Sequence, residues 1–209
     1  MSNSRLAAPE LAAIDVTGMT RQSFIVRGAL TAGAVAGTAA VGPFVSRALA
    51  QEGGGDVAIL NFALTLEYLE AGFYAEAQQK VKLGTDAKDL AKVIGDHEDE
   101  HVAALIATIK DLGGTPAKEP KGKFDLADEA GFLQLAQTFE DTGVSAYNGA
   151  APSIKSKELL AVAGQIVQVE ARHAGAIRLQ RGEAPSPMGF DAALEQQEVL
   201  DKVKPFIAS

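Results

Sequence analysis

Four glutamates and two histidines carry the chemistry this sequence can do. Glu98 and His101 form a Glu-x-x-His, and Glu170 and His173 form another. Glu67 and Glu140 are each followed seven residues later by a tyrosine, Tyr74 and Tyr147. The spacing recurs: Glu67 to Glu140 is 73 residues, while Glu98 to Glu170 and His101 to His173 are both 72. A helical hairpin is thus written twice, with one residue of slippage. Residues three apart share a helix face, so each Glu-x-x-His can offer two ligands together. Hard carboxylates with two imidazoles favour Fe or Mn, with Zn a further candidate. Four carboxylates balance two divalent cations, which removes the penalty of burying the acids.

The elements that must position these residues are helices. β-branched runs and strict alternation are scarce, whereas the helical period is strong. It predicts helices over 57–82, 86–112, 128–148 and 156–181, and a shorter tail helix within 190–207. The expected inward stripes are Leu60, Leu64, Glu67, Ala71 and Tyr74; Ile94, Glu98, His101, Leu105 and Leu112; Leu133, Ala136, Glu140, Val144 and Tyr147; Ala163, Ile166, Glu170, His173 and Ile177. Gly84-Thr85, Gly113-Gly114, Pro152, and Pro185 with Pro187 mark the breaks. Two short turns and one longer connection, 115–124, indicate two hairpins joined by a crossover.

The register agrees with this arrangement. Residues equidistant from a hairpin turn lie level along the axis, because each helix rises by a fixed step per residue. Glu67 lies 17 residues before Gly84 and His101 lies 17 after it. Glu140 lies 15 before Lys155 and Glu170 lies 15 after it. Two-fold related hairpins would therefore bring four carboxylates and two imidazoles to one point.

Residues 1–50 read differently. They hold four of the 19 basic residues and two of the 27 acids, and 28–45 is Gly/Ala-rich and uncharged. The stretch ends in Ala48-Leu49-Ala50 before Gln51, so basic flank, apolar run and small-x-small site read as an export signal cleaved near Ala50. The expected location is periplasmic or secreted. The sequence Thr20-Arg21-Gln22-Ser23-Phe24-Ile25 is similar to a twin-arginine signal, with Gln22 where the second arginine belongs, which leaves the twin-arginine and general secretory routes both open. The run contains Pro43 and is too weakly apolar for a membrane anchor, so no stable span is expected after cleavage. The remaining domain, 51–209, has 159 residues with 15 basic and 25 acidic side chains, a net charge of −10. An acidic surface argues against nucleic acid as a partner. The absence of cysteine excludes disulfides, thiolate metal sites and a cysteine nucleophile.

The chain beyond the signal resembles the ferritin-like superfamily. Within it, the similarity is greatest to exported bacterial ferritin-like domain proteins, whose first helix reads much like LNFALTLEYLEA at 60–71. The similarity spans about 56–179. It implies an all-α, ferritin-like four-helix bundle of two hairpins joined by a crossover, with a short C-terminal helix. It also puts Glu67, Glu98, His101, Glu140, Glu170 and His173 on the six ligand positions of a di-metal centre, with Glu98 and Glu170 bridging. Tyr74 and Tyr147 would lie near that centre as candidate catalytic residues, although core packing with a hydrogen-bonded hydroxyl is their plainer role. The implied cofactors are two metal ions, Fe or Mn, and the implied co-substrates are O₂ or H₂O₂. Relatives include ferroxidases, iron stores, oxidases, peroxide-reducing proteins and manganese catalases, and fold alone does not choose among them. A non-catalytic stress-related or metal-sequestering protein, and a homo-oligomeric storage cage, are the alternatives.

Other readings compete locally. His97-Glu98-Asp99-Glu100-His101 matches the zinc-peptidase pattern H-E-x-x-H. That chemistry needs a third ligand and a cleft beside a sheet, and leaves Glu67, Glu140 and the second Glu-x-x-His without a role. The second hairpin has Val169 where a copy of His97 would stand, so His97 is expected at the surface or behind the ligands. Glu70 is a rival to Glu67, one turn on. Gly72, Gly143, Gly164 and Gly175 fall inside helices, where close helix packing would explain them.

Overall fold

A computed structural model describes residues 55–208; the expected export segment and its cleavage site lie outside the described residues. The helical period is realised as α1 (Asp56–Lys80), α2 (Thr85–Asp111), α3 (Glu129–Ala150) and α4 (Lys157–Gln180), followed by a short α5 (Gln196–Val203). The starts are chemically marked. The Asp128 carboxylate caps α3 by accepting from Gly131 N–H at 2.8 Å, and the Ser156 hydroxyl caps α4 by accepting from Leu159 N–H at 3.2 Å. Glu195 and Glu198 form a reciprocal capping box on α5. Among the described residues, no helix is long and apolar enough to cross a membrane.

The ends of the helices fix the topology. Asp56, at the start of α1, accepts from the backbone N–H groups of Lys155 and Ser156, at 2.8 and 2.9 Å, just before α4. Glu129, at the start of α3, accepts from Gly84 N–H at 2.6 Å, just before α2. Helices α1 and α4 therefore begin together, and so do α2 and α3. The link from α2 to α3 must then run back along the bundle. A 27-residue helix such as α2 is about 40 Å long, and the 17 residues of 112–128 can span about 55 Å when extended. The crossover is pegged by the buried Asn61, which accepts from Ala117 N–H at 2.6 Å and donates to the Thr115 carbonyl at 3.2 Å.

The tail closes the other side. Val199, Leu200 and Val203 of α5 pack into the cluster of Phe62, Phe73, Phe132 and Phe139. Leu194 N–H donates to the Ser145 carbonyl at 3.0 Å, and Gly149 makes room for this approach, since a Cβ there would overlap the Leu194 carbonyl. Lys123 N–H bonds the Phe206 carbonyl and Ala208 N–H the Lys121 carbonyl, both at 2.8 Å, giving an antiparallel bridge between Gly122 and Ile207. Apart from that bridge, the described residues form no β-structure.

Two of the expected stripes need correction. Ala71 is only half-buried, while Phe62, Leu66, Leu69 and Phe73 of α1 are buried as well, because the crossover and α5 cover faces that a simple two-layer stripe would leave to water. Leu112 is 48% exposed and Ile109 takes the inward place, since the helix ends at Asp111 and the chain turns away. Helix packing also fails to explain two of the glycines: beyond the adjoining residues and the helix's own nearby backbone, no described atom lies within 4 Å of where a Cβ would stand at Gly72 or Gly164. Gly72→Ala and Gly164→Ala should each stabilise the fold by about 0.5–1 kcal/mol, because alanine restricts the unfolded chain and favours helix. An unfolding midpoint in urea that fails to rise would count against this.

Candidate metal centre

Each of the four long helices brings a fully buried glutamate to the bundle interior: Glu67 from α1, Glu98 from α2, Glu140 from α3 and Glu170 from α4. The two histidines join them one turn further along α2 and α4, with His101 9% and His173 5% exposed. Their ligand atoms fall into two groups, each with all atoms within 4.8 Å of one another. One group is Glu67, Glu98, His101 and Glu170; the other is Glu98, Glu140, Glu170 and His173. The six residues singled out by spacing are thus brought together, around two adjacent points and not one. Glu98 and Glu170 are common to both, Glu67 and Glu140 belong to one each, and Glu70 to neither.

The hydrogen bonding inside the cluster is incomplete. His101 Nδ1 lies 3.0 Å from Glu170 Oε1, 3.1 Å from Glu98 Oε2 and 3.3 Å from Glu67 Oε2. His173 Nδ1 lies 3.0 Å from Glu98 Oε1 and 3.2 Å from Glu140 Oε2. A single ring N–H cannot satisfy two or three carboxylate oxygens at once. Glu67 Oε2, Glu98 Oε1, Glu140 Oε2 and both oxygens of Glu170 are left buried without an aligned partner. Buried polar atoms are almost always paired, so five such oxygens in one spot mark a place built for another positive species.

Charge and burial work against each other here. Burial pushes the Glu67 carboxyl up to about 7, against hydrogen bonding from His101. Burial, then the neighbouring Glu67 charge, holds Glu170 well above the usual carboxylate range, and burial likewise raises Glu140. Burial also opposes ionisation of Glu98, but hydrogen bonds from His101 and His173 outweigh it and bring that carboxyl down to about 2. Both imidazoles would lose their protons on burial alone; carboxylate partners reverse this, raising His101 to about 12 and His173 to about 10. Without a metal, protons hold the cluster together.

The tyrosines act crosswise. Tyr74 of α1 donates its hydroxyl to Glu140 of α3, and Tyr147 of α3 donates to Glu67 of α1. Pairing 74 with 140 and 67 with 147 steps seven residues forward on one helix and seven back on the other, so α1 and α3 run antiparallel. A glutamate seven residues away on the same helix lies about 10 Å along the axis, out of reach of its own tyrosine. Burial, then the adjacent glutamates, lifts both phenols well above their ordinary value, so they stay protonated donors that orient one oxygen of each carboxylate.

Three features go beyond the spacing of the six residues. Glu70 is only 2% exposed, and burial followed by the charge of Glu170 raises its carboxyl strongly. Its counterpart one repeat later is Gly143, where a Cβ would come within 3.1 Å of both the Glu70 and Glu170 carboxylates. The missing side chain on α3 thus makes room for the extra acid on α1. The second feature is the end clamp: Asp56 and Glu129 are also 73 residues apart, and Gly84 and Ser156, whose backbone N–H groups donate to them, are 72 apart. The third is His97, which joins neither group; its Nδ1 lies 2.9 Å from His173 Nε2. The end-clamp relation could have been found by applying the same offset to every acid in the chain.

A family model described as a ferritin-like domain matches residues 55–183. In solved structures, the chain is similar in fold to a conserved hypothetical protein, rv2844, from Mycobacterium tuberculosis. The two are 17% identical with a TM-score of 0.55, over 64% of this chain and 94% of that one. No curated protein matches.

Proposed function

Because the chain belongs to the ferritin-like domain family, we propose that it holds two metal ions, Fe or Mn, in its buried cluster and uses them to oxidise Fe(II) or to react with O₂ or H₂O₂. Glu67, Glu98, His101 and Glu170 would surround one ion; Glu98, Glu140, Glu170 and His173 would surround the other. The observation that carries this is the set of five buried carboxylate oxygens without aligned partners, gathered around two points. Oxygen donors with one imidazole at each point suit these metals.

Bound there, the metals supply the redox couple that protein side chains lack. The chain's own residues do the rest. Glu98 and Glu170 each face both points and would be the residues that hold both ions. Tyr74 and Tyr147 hold one oxygen of Glu140 and Glu67 in place, leaving the other turned inward. The apolar residues around the cluster, Leu64, Phe73, Leu105 and Ile177 among them, exclude bulk water from it. Export with cleavage near Ala50 belongs to the same proposal, since α1 starts at Asp56 and would be left whole.

The test is aerobic oxidation of Fe(II) by the purified, metal-stripped protein, followed by absorbance. A rate above buffer is expected, falling to the buffer rate in Glu170→Ala. Equal rates with and without protein would refute the oxidase reading. A metal-dependent rise in melting temperature without turnover would instead favour a sequestering protein.

A further inference from the structure

We infer that His97 is a positioning residue: by accepting the Nε2–H of His173 it locks that ring with Nδ1 toward Glu98 and Glu140, and so makes the two metal positions unequal. This rests on the di-metal reading above. The Nδ1 of His97 stands 2.9 Å from His173 Nε2. The rings are 14° from parallel with centroids 5.2 Å apart. That separation suits two rings joined edge to edge through N–H···N, and is too long for face-to-face contact with a 2.9 Å nitrogen pair. On its other side, His173 Nδ1 faces Glu98 Oε1 at 3.0 Å and Glu140 Oε2 at 3.2 Å. The Nδ1 itself has no aligned hydrogen-bond partner, so the contact to His97 is what fixes the ring. Turning it over would replace the Nε2–H···N bond with a carbon, so a single ring orientation is selected, with Nδ1 on the cluster side where it could serve a metal.

The second hairpin lacks this device. The residue 72 places after His97 is Val169, which neither donates nor accepts a hydrogen bond. The Nδ1 of His101 faces three carboxylates where that of His173 faces two, but no imidazole stands behind the His101 ring among the described residues. Of the two positions, the one beside His173 and Glu140 is the one with an oriented imidazole. Partners that orient a ligating histidine are worth roughly 10–100-fold in metal affinity, so the His173 position should fill first.

Two measurements on the full chain test this. In the metal-free, ¹⁵N-labelled protein, a scalar coupling across the hydrogen bond between His173 Nε2 and His97 Nδ1 is expected; its absence would overturn the assignment without reference to any metal. In a titration with Co(II), read by visible absorption, wild type should bind in two unequal steps. His97→Val should weaken the tighter step by roughly 10–100-fold and leave the other unchanged, and His97→Gln, whose amide oxygen can accept the same N–H, should restore most of it. Equal weakening of both steps, or of neither, would overturn the proposal. Complete loss of Co(II) in His97→Val would also overturn it, by making His97 a ligand. A wild type that binds no Co(II) at all refutes the di-metal reading, while the coupling still decides whether His97 holds the ring.

Discussion

Replacing Glu98 with alanine should empty both metal positions at once. Its Oε1 faces His173 and its Oε2 faces His101, so one side chain serves both groups. Elemental analysis should find a fall from about two ions per chain to near none, whereas Glu67→Ala, which touches one group, should leave about one. The metal-free fold should suffer as well. Glu98 is the carboxylate that both imidazoles hold in its ionised form, and removing it leaves two buried cations without their shared partner. Breaking a buried pair in this way typically costs 3–5 kcal/mol, against a total stability of about 5–15 kcal/mol for a domain. The chelator-treated variant should therefore melt well below chelator-treated wild type. Wild-type metal content in Glu98→Ala would dismiss the two-point site altogether.

The metal-free protein should also grow less stable as pH rises, and metal should reverse the trend. The Glu67 carboxyl moves from 4.5 to about 7 on folding, so its contribution is full below pH 4.5 and lost as pH rises through 7. The imidazoles of His101 and His173 move from 6.5 to about 12 and about 10, so theirs is full below 6.5 and lost at still higher pH. The upward shifts of Glu70, Glu140 and Glu170 act in the same sense. Within the cluster Glu98 opposes them: lowered to about 2, it supports the fold above 4.5 and fails only in strong acid. Each proton taken up on folding is worth about 1.4 kcal/mol per pH unit. Between about pH 5 and 8 the melting temperature of the stripped protein should fall by several degrees. Metal ions displace those protons, so their affinity climbs with pH and the gap between loaded and stripped protein should widen. A flat or rising curve for the stripped protein would show that protons are not what holds the empty cluster.

Much of this was legible in the sequence because the signal is local and repeated. A glutamate in each apolar stripe, at offsets of 72 and 73, is a pattern that helical period alone can carry into three dimensions. The helix ends also followed from local chemistry, with α1 expected over 57–82 and found over Asp56–Lys80. What was not legible depends on how distant elements meet. The seven-residue spacing of Glu67 and Tyr74 marked the repeat, but the bond each makes is to the opposite helix, and only the antiparallel stagger of α1 and α3 reveals it. The burial of Glu70 depends on a glycine 73 residues away. The burial of α1 around most of its circumference depends on a crossover and a tail whose own sequences say little about where they lie.

The tail has a consequence for how the molecule is made. Val199, Leu200 and Val203 complete the aromatic cluster around Phe73, and the backbone of 206–208 is stitched to 121–123. These residues leave the ribosome after all four long helices. Until they do, the four long helices are already synthesised but one apolar flank stands open, so the nascent chain cannot finish its core and must be shielded until α5 emerges.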